Sequence, residues 1–140
     1  MTTNEETTVS ARELGRRSMA AVEAMDREAW LDLFAEDGVV EDPIGKSPLD
    51  PEGEGHHGRD GIGRFYDNVL APNDGIAFEI DESFESGDEC ANVGWIRTTL
   101  PGGKHVAVVR GVYTYRRNAE GKLAALRSYW EFDQLRIEDA

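Results

Sequence analysis

The stretch Leu33-Phe34-Ala35-Glu36-Asp37-Gly38-Val39-Val40-Glu41-Asp42-Pro43-Ile44-Gly45 passes from helix to strand within a few residues. Its apolar opening closes a helical pattern that also holds Trp30 and Leu31, and the acidic turn Glu36-Asp37-Gly38 stops it. Val39-Val40-Glu41-Asp42 then reads as a short strand, ended by Pro43 because proline cannot donate to a ladder. An Asp before a Pro at a strand end is commonly a turn or capping residue. It is also the strongest acid-base candidate in this chain.

Upstream, Ser10-Ala11-Arg12-Glu13 fits a capping box, with Glu13 able to reach back to the cap amide. Leu14, Ser18, Ala21, Val22 and Met25 follow on one helical stripe, and Asp26 reads as a second N-cap. Residues 1–9 are polar and Thr/Glu-rich and are expected to be loose. Downstream, Ser47–Gly58 is a loop rich in Pro, Gly, Asp and Glu. A third helix is expected from about Gly58, carrying Ile62, Phe65, Tyr66, Val69 and Leu70, and Pro72-Asn73-Asp74-Gly75 breaks it.

The remainder is strand-like: Ala77–Glu85, Ala91–Leu100, Lys104–Arg116 and Lys122–Leu135, separated by turn-forming clusters. Three helices followed by four strands predict an α+β domain over residues 10–136, an antiparallel meander with helices on one face, and a short tail at 137–140. Val106, Ala107, Val108 and Val112 suggest that parts of both sheet faces are covered, which a homodimer would provide.

Bulk composition narrows the partners. The 140 residues carry a formal net charge of −13, which argues against phosphate backbones and anionic membrane surfaces. No run approaches the roughly 20 apolar residues of a membrane span. The start lacks the cationic and apolar blocks of a secretory signal, so a cytoplasmic location is expected. Cys90 is the single cysteine, which leaves no intrachain disulfide and no placed His partner for nucleophilic work. His56-His57 beside Glu52 and Glu54 resembles a ligand cluster, but it lacks metal-site spacing and reads as a solvated loop. Gly61-Ile62-Gly63 lacks the third glycine and preceding strand of a dinucleotide fingerprint. Neither a metal nor a cofactor is expected.

The Leu33–Gly45 stretch resembles the signature region of ketosteroid isomerases and their SnoaL-like relatives in the NTF2-like superfamily. His57-Gly58-Arg59-Asp60-Gly61-Ile62 with Phe65-Tyr66 is similar to that family's third helix, and Tyr129-Trp130 to its pocket tryptophan. The resemblance covers about Ser10 to Leu135. It implies a cone, in which a curved, mostly antiparallel sheet packs against three N-terminal helices around an apolar pocket. It also implies that Asp42 is the catalytic base. In that family the base works beside a tyrosine and a protonated aspartate that hold the oxyanion.

Those two donors are where this chain departs. The family tyrosine falls at Ser18, and the protonated aspartate falls at Gly111 or, with no insertion, at Tyr113. On the third strand Val109, Gly111, Tyr113 and Tyr115 share the better pocket face, so Tyr113 or Tyr115 could offer a phenol. Tyr66 matches a tyrosine that normally bonds the missing one, and could donate directly or through Ser18. Phe34, Phe65, Trp95 and Trp130 are expected as pocket walls. The expected activity is a steroid delta-isomerase, moving a proton on an apolar steroid-like ketone with Asp42, Tyr66 and Tyr113 as catalytic groups. A non-catalytic steroid- or lipid-binding protein, and a SnoaL-like cyclase or epoxide hydrolase, are the alternatives.

Overall fold

The computed structural model describes residues 9–140. Apart from Val9, the expected loose N-terminal stretch lies outside the described residues. Ser10 caps the first helix, α1 (Ala11–Glu23), by accepting from the Glu13 amide at 3.0 Å. Only half of the expected capping box forms, because the Glu13 carboxylate turns instead to Arg17 Nε at 3.1 Å. Leu14, Ser18, Ala21 and Val22 are buried, and Met25 takes the left-handed turn (φ 55°) that closes the helix. Asp26 then caps α2 (Arg27–Leu31) through the Ala29 amide.

The strand containing the Val-Val pair is longer than expected. β1 runs Phe34–Glu41 and lies parallel to a later strand. β2 (His56–His57) pairs with its other edge, Val40 opposite His56. Helix α3 (Gly58–Phe65) continues as a π-helical turn, Tyr66–Leu70. Strands β3 (Gly75–Ser86), β4 (Glu89–Thr99), β5 (His105–Arg117) and β6 (Leu123–Tyr129) form the expected antiparallel meander. The resulting mixed sheet has the order β2-β1-β6-β5-β4-β3, and its curved inner face meets the three helices. The NTF2-like α+β cone expected from the sequence is the fold observed.

The C-terminus differs from expectation. β6 stops at Tyr129, and Phe132–Gln134 forms a 3₁₀ turn. Residues 137–140 are not a tail: β7 (Arg136–Asp139) pairs antiparallel with β5, Ala107 opposite Ile137. Before Val112 the edge of β5 lacks β6 as a partner, and an unpaired edge is satisfied most cheaply by the nearest extended segment. The final residues therefore strap the sheet. Among the described residues no helix is long and apolar enough to cross a membrane.

The core gathers on the indole of Trp30, which packs edge-on to Phe34 at 4.9 Å and tilted against Tyr66 at 5.6 Å. Each such ring buried contributes roughly 1.5–3 kcal/mol from area alone. Phe34 and Tyr66, both expected at the ligand site, are consumed by this cluster instead.

Gly94 marks where β4 crosses the irregular register of β3 at Ile80/Glu82. A Cβ there would lie 2.1 Å from the Glu79 carbonyl oxygen and 2.8 Å from Ile80 Cα. Both are backbone atoms that cannot yield. Gly94→Ala is therefore expected to lose at least about 1–3 kcal/mol. Urea unfolding should show a lower midpoint at unchanged m-value; a variant as stable as wild type would contradict this packing.

Candidate functional site

Between the helices and the inner sheet face lies a cavity of about 290 Å³. Its walls are apolar over most of their area, with Phe65, Val69, Ile96, Val109 and Leu126 among them. The sheet supplies alternate residues, as strand geometry requires: Ile96 and Thr98 from β4, and Ala107, Val109, Tyr113 and Tyr115 from β5. Polar groups are few. They are Ser18, Asp42, Asn73, Thr98, Tyr113, Tyr115, Ser128 and the Trp30 and Trp130 indoles.

Asp42 sits immediately after β1, where the chain leaves the sheet into the Asp42–Pro43 cis peptide. Its Oδ1 accepts from Trp130 Nε1 at 2.7 Å. This contact is possible because β6 has ended. Trp130 folds inward over Gly111, whose missing side chain leaves the room: a Cβ would meet Tyr129 O at 2.5 Å and Trp130 Cβ at 2.8 Å. Burial pushes the Asp42 carboxyl above its ordinary value, opposed by the Trp130 N–H, the Ser128 hydroxyl and the charge of His56. Desolvation is the larger effect, and the indole bond works against it. That balance is what a general base against an apolar ligand requires.

Ser18 also faces the cavity, and a second indole holds it. Trp30 Nε1 donates to Ser18 Oγ at 2.9 Å in a fully buried contact. The serine thus accepts from below, while its own O–H finds no acceptor among the described residues. Tyr66, expected as its partner, does not line the cavity; it packs on the Trp30 ring. Tyr113 lines the wall as expected, but its phenol reaches only the Gly94 and Val109 carbonyls, each at 3.4 Å. These bonds are far longer than the 2.7–2.8 Å usual for a hydroxyl donor, so a well-placed ligand oxygen would capture the proton. Burial pushes the Tyr113 phenol up, and that of Tyr115 too, with the Asp42 charge adding to both. Both therefore stay protonated as donors. The Tyr115 ring fits because residue 15 is glycine, where a Cβ would sit 2.8 Å from it.

Phe65 and Trp130 occupy the walls as expected. Trp95 does not. It alternates to the outer sheet face, where the guanidinium groups of Arg110 and Arg136 cover it at 5.7 and 5.6 Å. Phe34 is buried behind Trp30 and does not reach the cavity. Residues missed from the sequence include Ser128, Leu49 and the C-terminal Phe132 and Leu135, which close the rim. Phe132 stacks on Trp130 with centroids 6.0 Å apart. The His56-His57 pair gathers no metal set: among the described residues no three His, Cys, Asp or Glu side chains converge.

Comparison with known proteins agrees with the fold. A family model described as a SnoaL-like domain matches residues 15–126. RV0760c from Mycobacterium tuberculosis, solved in complex with estradiol-17beta-hemisuccinate, is 39% identical over 90% of this chain and 97% of its own, with TM-score 0.83. A delta 5-3-ketosteroid isomerase from Mycobacterium sp. is 38% identical over 93% of this chain and 100% of its own, with TM-score 0.86. A computationally designed 17-OHP binder is 36% identical over 91% of this chain and 98% of its own, with TM-score 0.85. No curated protein sequence matches the chain.

The raised Asp42 value fixes the sign of a pH effect. A carboxyl that ionises less readily folded than unfolded contributes stability below its unfolded value, and that contribution is lost as pH rises through its folded value. Asp42→Asn keeps an oxygen for Trp130 and removes the buried charge. The variant should therefore be more stable than wild type near pH 7, with the difference vanishing in acid. Thermal unfolding across pH measures this; a destabilised variant at neutral pH would contradict the assignment.

Proposed function

Because the chain belongs to the SnoaL-like family of the NTF2-like superfamily, we propose that it is a cofactor-independent isomerase of steroid-like ketones with Asp42 as its base. The observation that carries this is the Asp42 carboxylate, one oxygen held at 2.7 Å by Trp130 Nε1, at the wall of an apolar cavity of about 290 Å³. Asp42 takes a proton from the carbon between the ketone and an isolated double bond. The electron pair moves onto the ketone oxygen as a dienolate. The same carboxyl then returns its proton two carbons along, giving the conjugated ketone, so no redox partner is needed.

The dienolate oxygen needs donors. Ser18, braced by Trp30, and the weakly engaged Tyr113 phenol are the ones this chain offers, with Tyr115 beside them. Tyr66 has no part in this scheme. Neither the Tyr nor the protonated Asp of the family is present, and each missing oxyanion donor costs roughly 10²–10³ in rate. Turnover is accordingly expected to be slow. Gly111 favours a second reading, a steroid-binding protein without turnover, since the fold itself excludes an acid where Trp130 packs. A cyclase or epoxide hydrolase built on an Asp-Arg-Asp set is disfavoured: among the described residues the cavity wall holds one carboxylate and no arginine. A homodimer in the cytoplasm is part of the proposal, resting on the run of apolar residues Val106, Ala107, Val108 and Val112 and on the chain's acidity.

A β,γ-unsaturated 3-ketosteroid followed by conjugated-enone absorbance tests the proposal. Wild type should turn over, and Asp42→Asn should fall by about 10²-fold or more. Since burial raises the carboxyl, the rate should climb with pH through a range above the ordinary carboxylate value. Tight binding with no turnover would replace the enzyme by the binding protein; equal rates for both proteins would remove Asp42 from the chemistry.

A further inference from the structure

The His56-His57 pair is left unused by the proposed reaction, and it lines a second space. A groove of about 380 Å³ opens beside the cavity, bounded by Gly55, His56, His57, Gly61, Arg64 and Asn68. Its inner wall is Leu49, Phe65 and Val69, which also line the Asp42 cavity. The two spaces are thus separated by three side chains. Leu49 is carried on a loop bracketed by Gly45, Gly53 and Gly55, all at positive φ.

Helix α3 and its π-helical extension present Gly61, Arg64 and Asn68 along the groove, at the i, i+3, i+7 spacing of one face. The guanidinium lies along this face of the helix, with Arg64 Nη2 3.7 Å from where a Cβ on residue 61 would stand, an ordinary contact distance. Arg64 is exposed, and among the described residues it makes no ion pair, in a chain with 28 acidic side chains. The two acids that act on the His56 ring each hold a hydrogen-bond donor. Asp50 Oδ2 accepts from the Gly55 amide, and Asp42 Oδ1 from Trp130. His56 is held towards its neutral form by burial, with Arg64 and His57 pushing the same way against Asp50 and Asp42. The groove therefore offers one cation that makes no ion pair among the described residues, with Asn68 and the His56 ring beside it.

We propose that this groove is a subsite for the carboxylate of a steroid-like ligand bearing an acidic side chain, with Arg64 as the charge partner and Asn68 beside it. The ligand nucleus occupies the Asp42 cavity, and its tail passes the Leu49–Phe65 partition. This inference rests on the steroid-like reading of the cavity. It specifies the ligand class: an acid-tailed steroid rather than a neutral one.

The test pairs lithocholic acid with its methyl ester, two ligands of one nucleus differing by one charge, titrated by quenching of tryptophan fluorescence. The acid should bind wild type about tenfold more tightly than the ester. Arg64→Gln should remove that preference while leaving the ester within about twofold, and Arg64→Lys should restore most of it. Equal affinities in wild type, or equal losses for both ligands in Arg64→Gln, would overturn the subsite while leaving the steroid cavity standing. Binding of neither ligand would overturn the cavity reading and the subsite with it.

Discussion

The hydrogen bond from Trp130 Nε1 to Asp42 is the constraint around which this fold is arranged. A carboxylate in an apolar cavity is expensive unless something donates to it, and a charge-assisted bond recovers about 1.5–3 kcal/mol. To supply that donor, the last meander strand must stop and turn its next residue inward. The turn requires glycine at 111, because any side chain there would strike Trp130. It also strips β5 of its partner, and β7 fills the vacancy. One polar contact thus accounts for a strand end, a glycine and a C-terminal strap.

The same device appears twice. Trp30 braces Ser18 as Trp130 braces Asp42, each indole spending its single N–H on the oxygen that faces the cavity. An indole fixes a polar group without adding a competing charge, and its body extends the apolar wall. The proposed base and hydroxyl donor are both pre-positioned this way. Both contacts hold a polar group rigid against an apolar wall.

Much of this was legible in the residues. The Val-Val-Glu-Asp-Pro sequence put Asp42 at a strand end, where it meets the cavity, and the alternation of β5 placed Val109, Tyr113 and Tyr115 on the inner face. What misled was burial without direction. Phe34 and Tyr66 are as apolar and as periodic as Phe65, and nothing local says which ring packs on Trp30 and which meets a ligand. In the structure Tyr66 opens a π-helical turn and packs on Trp30, while Val69 and Leu70 of the same turn line the cavity. Trp95 lies in a strand with bulky residues on both faces, so its parity could not be read. Its outer position is explained by Arg136, 41 residues on, which only the C-terminal pairing brings near. His56 beside Val40 and Trp30 beneath Ser18 are likewise contacts of tertiary origin.

The central claim is that Asp42 is a working base in this cavity, and proton exchange tests it with the least dependence on the oxyanion donors. A conjugated 3-ketosteroid incubated with protein in D₂O can be followed by loss of its enolisable proton signals. Wild type should wash deuterium into those positions well above the buffer rate, and Asp42→Asn should exchange at the buffer rate although it still binds the ligand. Equal exchange by wild type and Asp42→Asn would contradict the account.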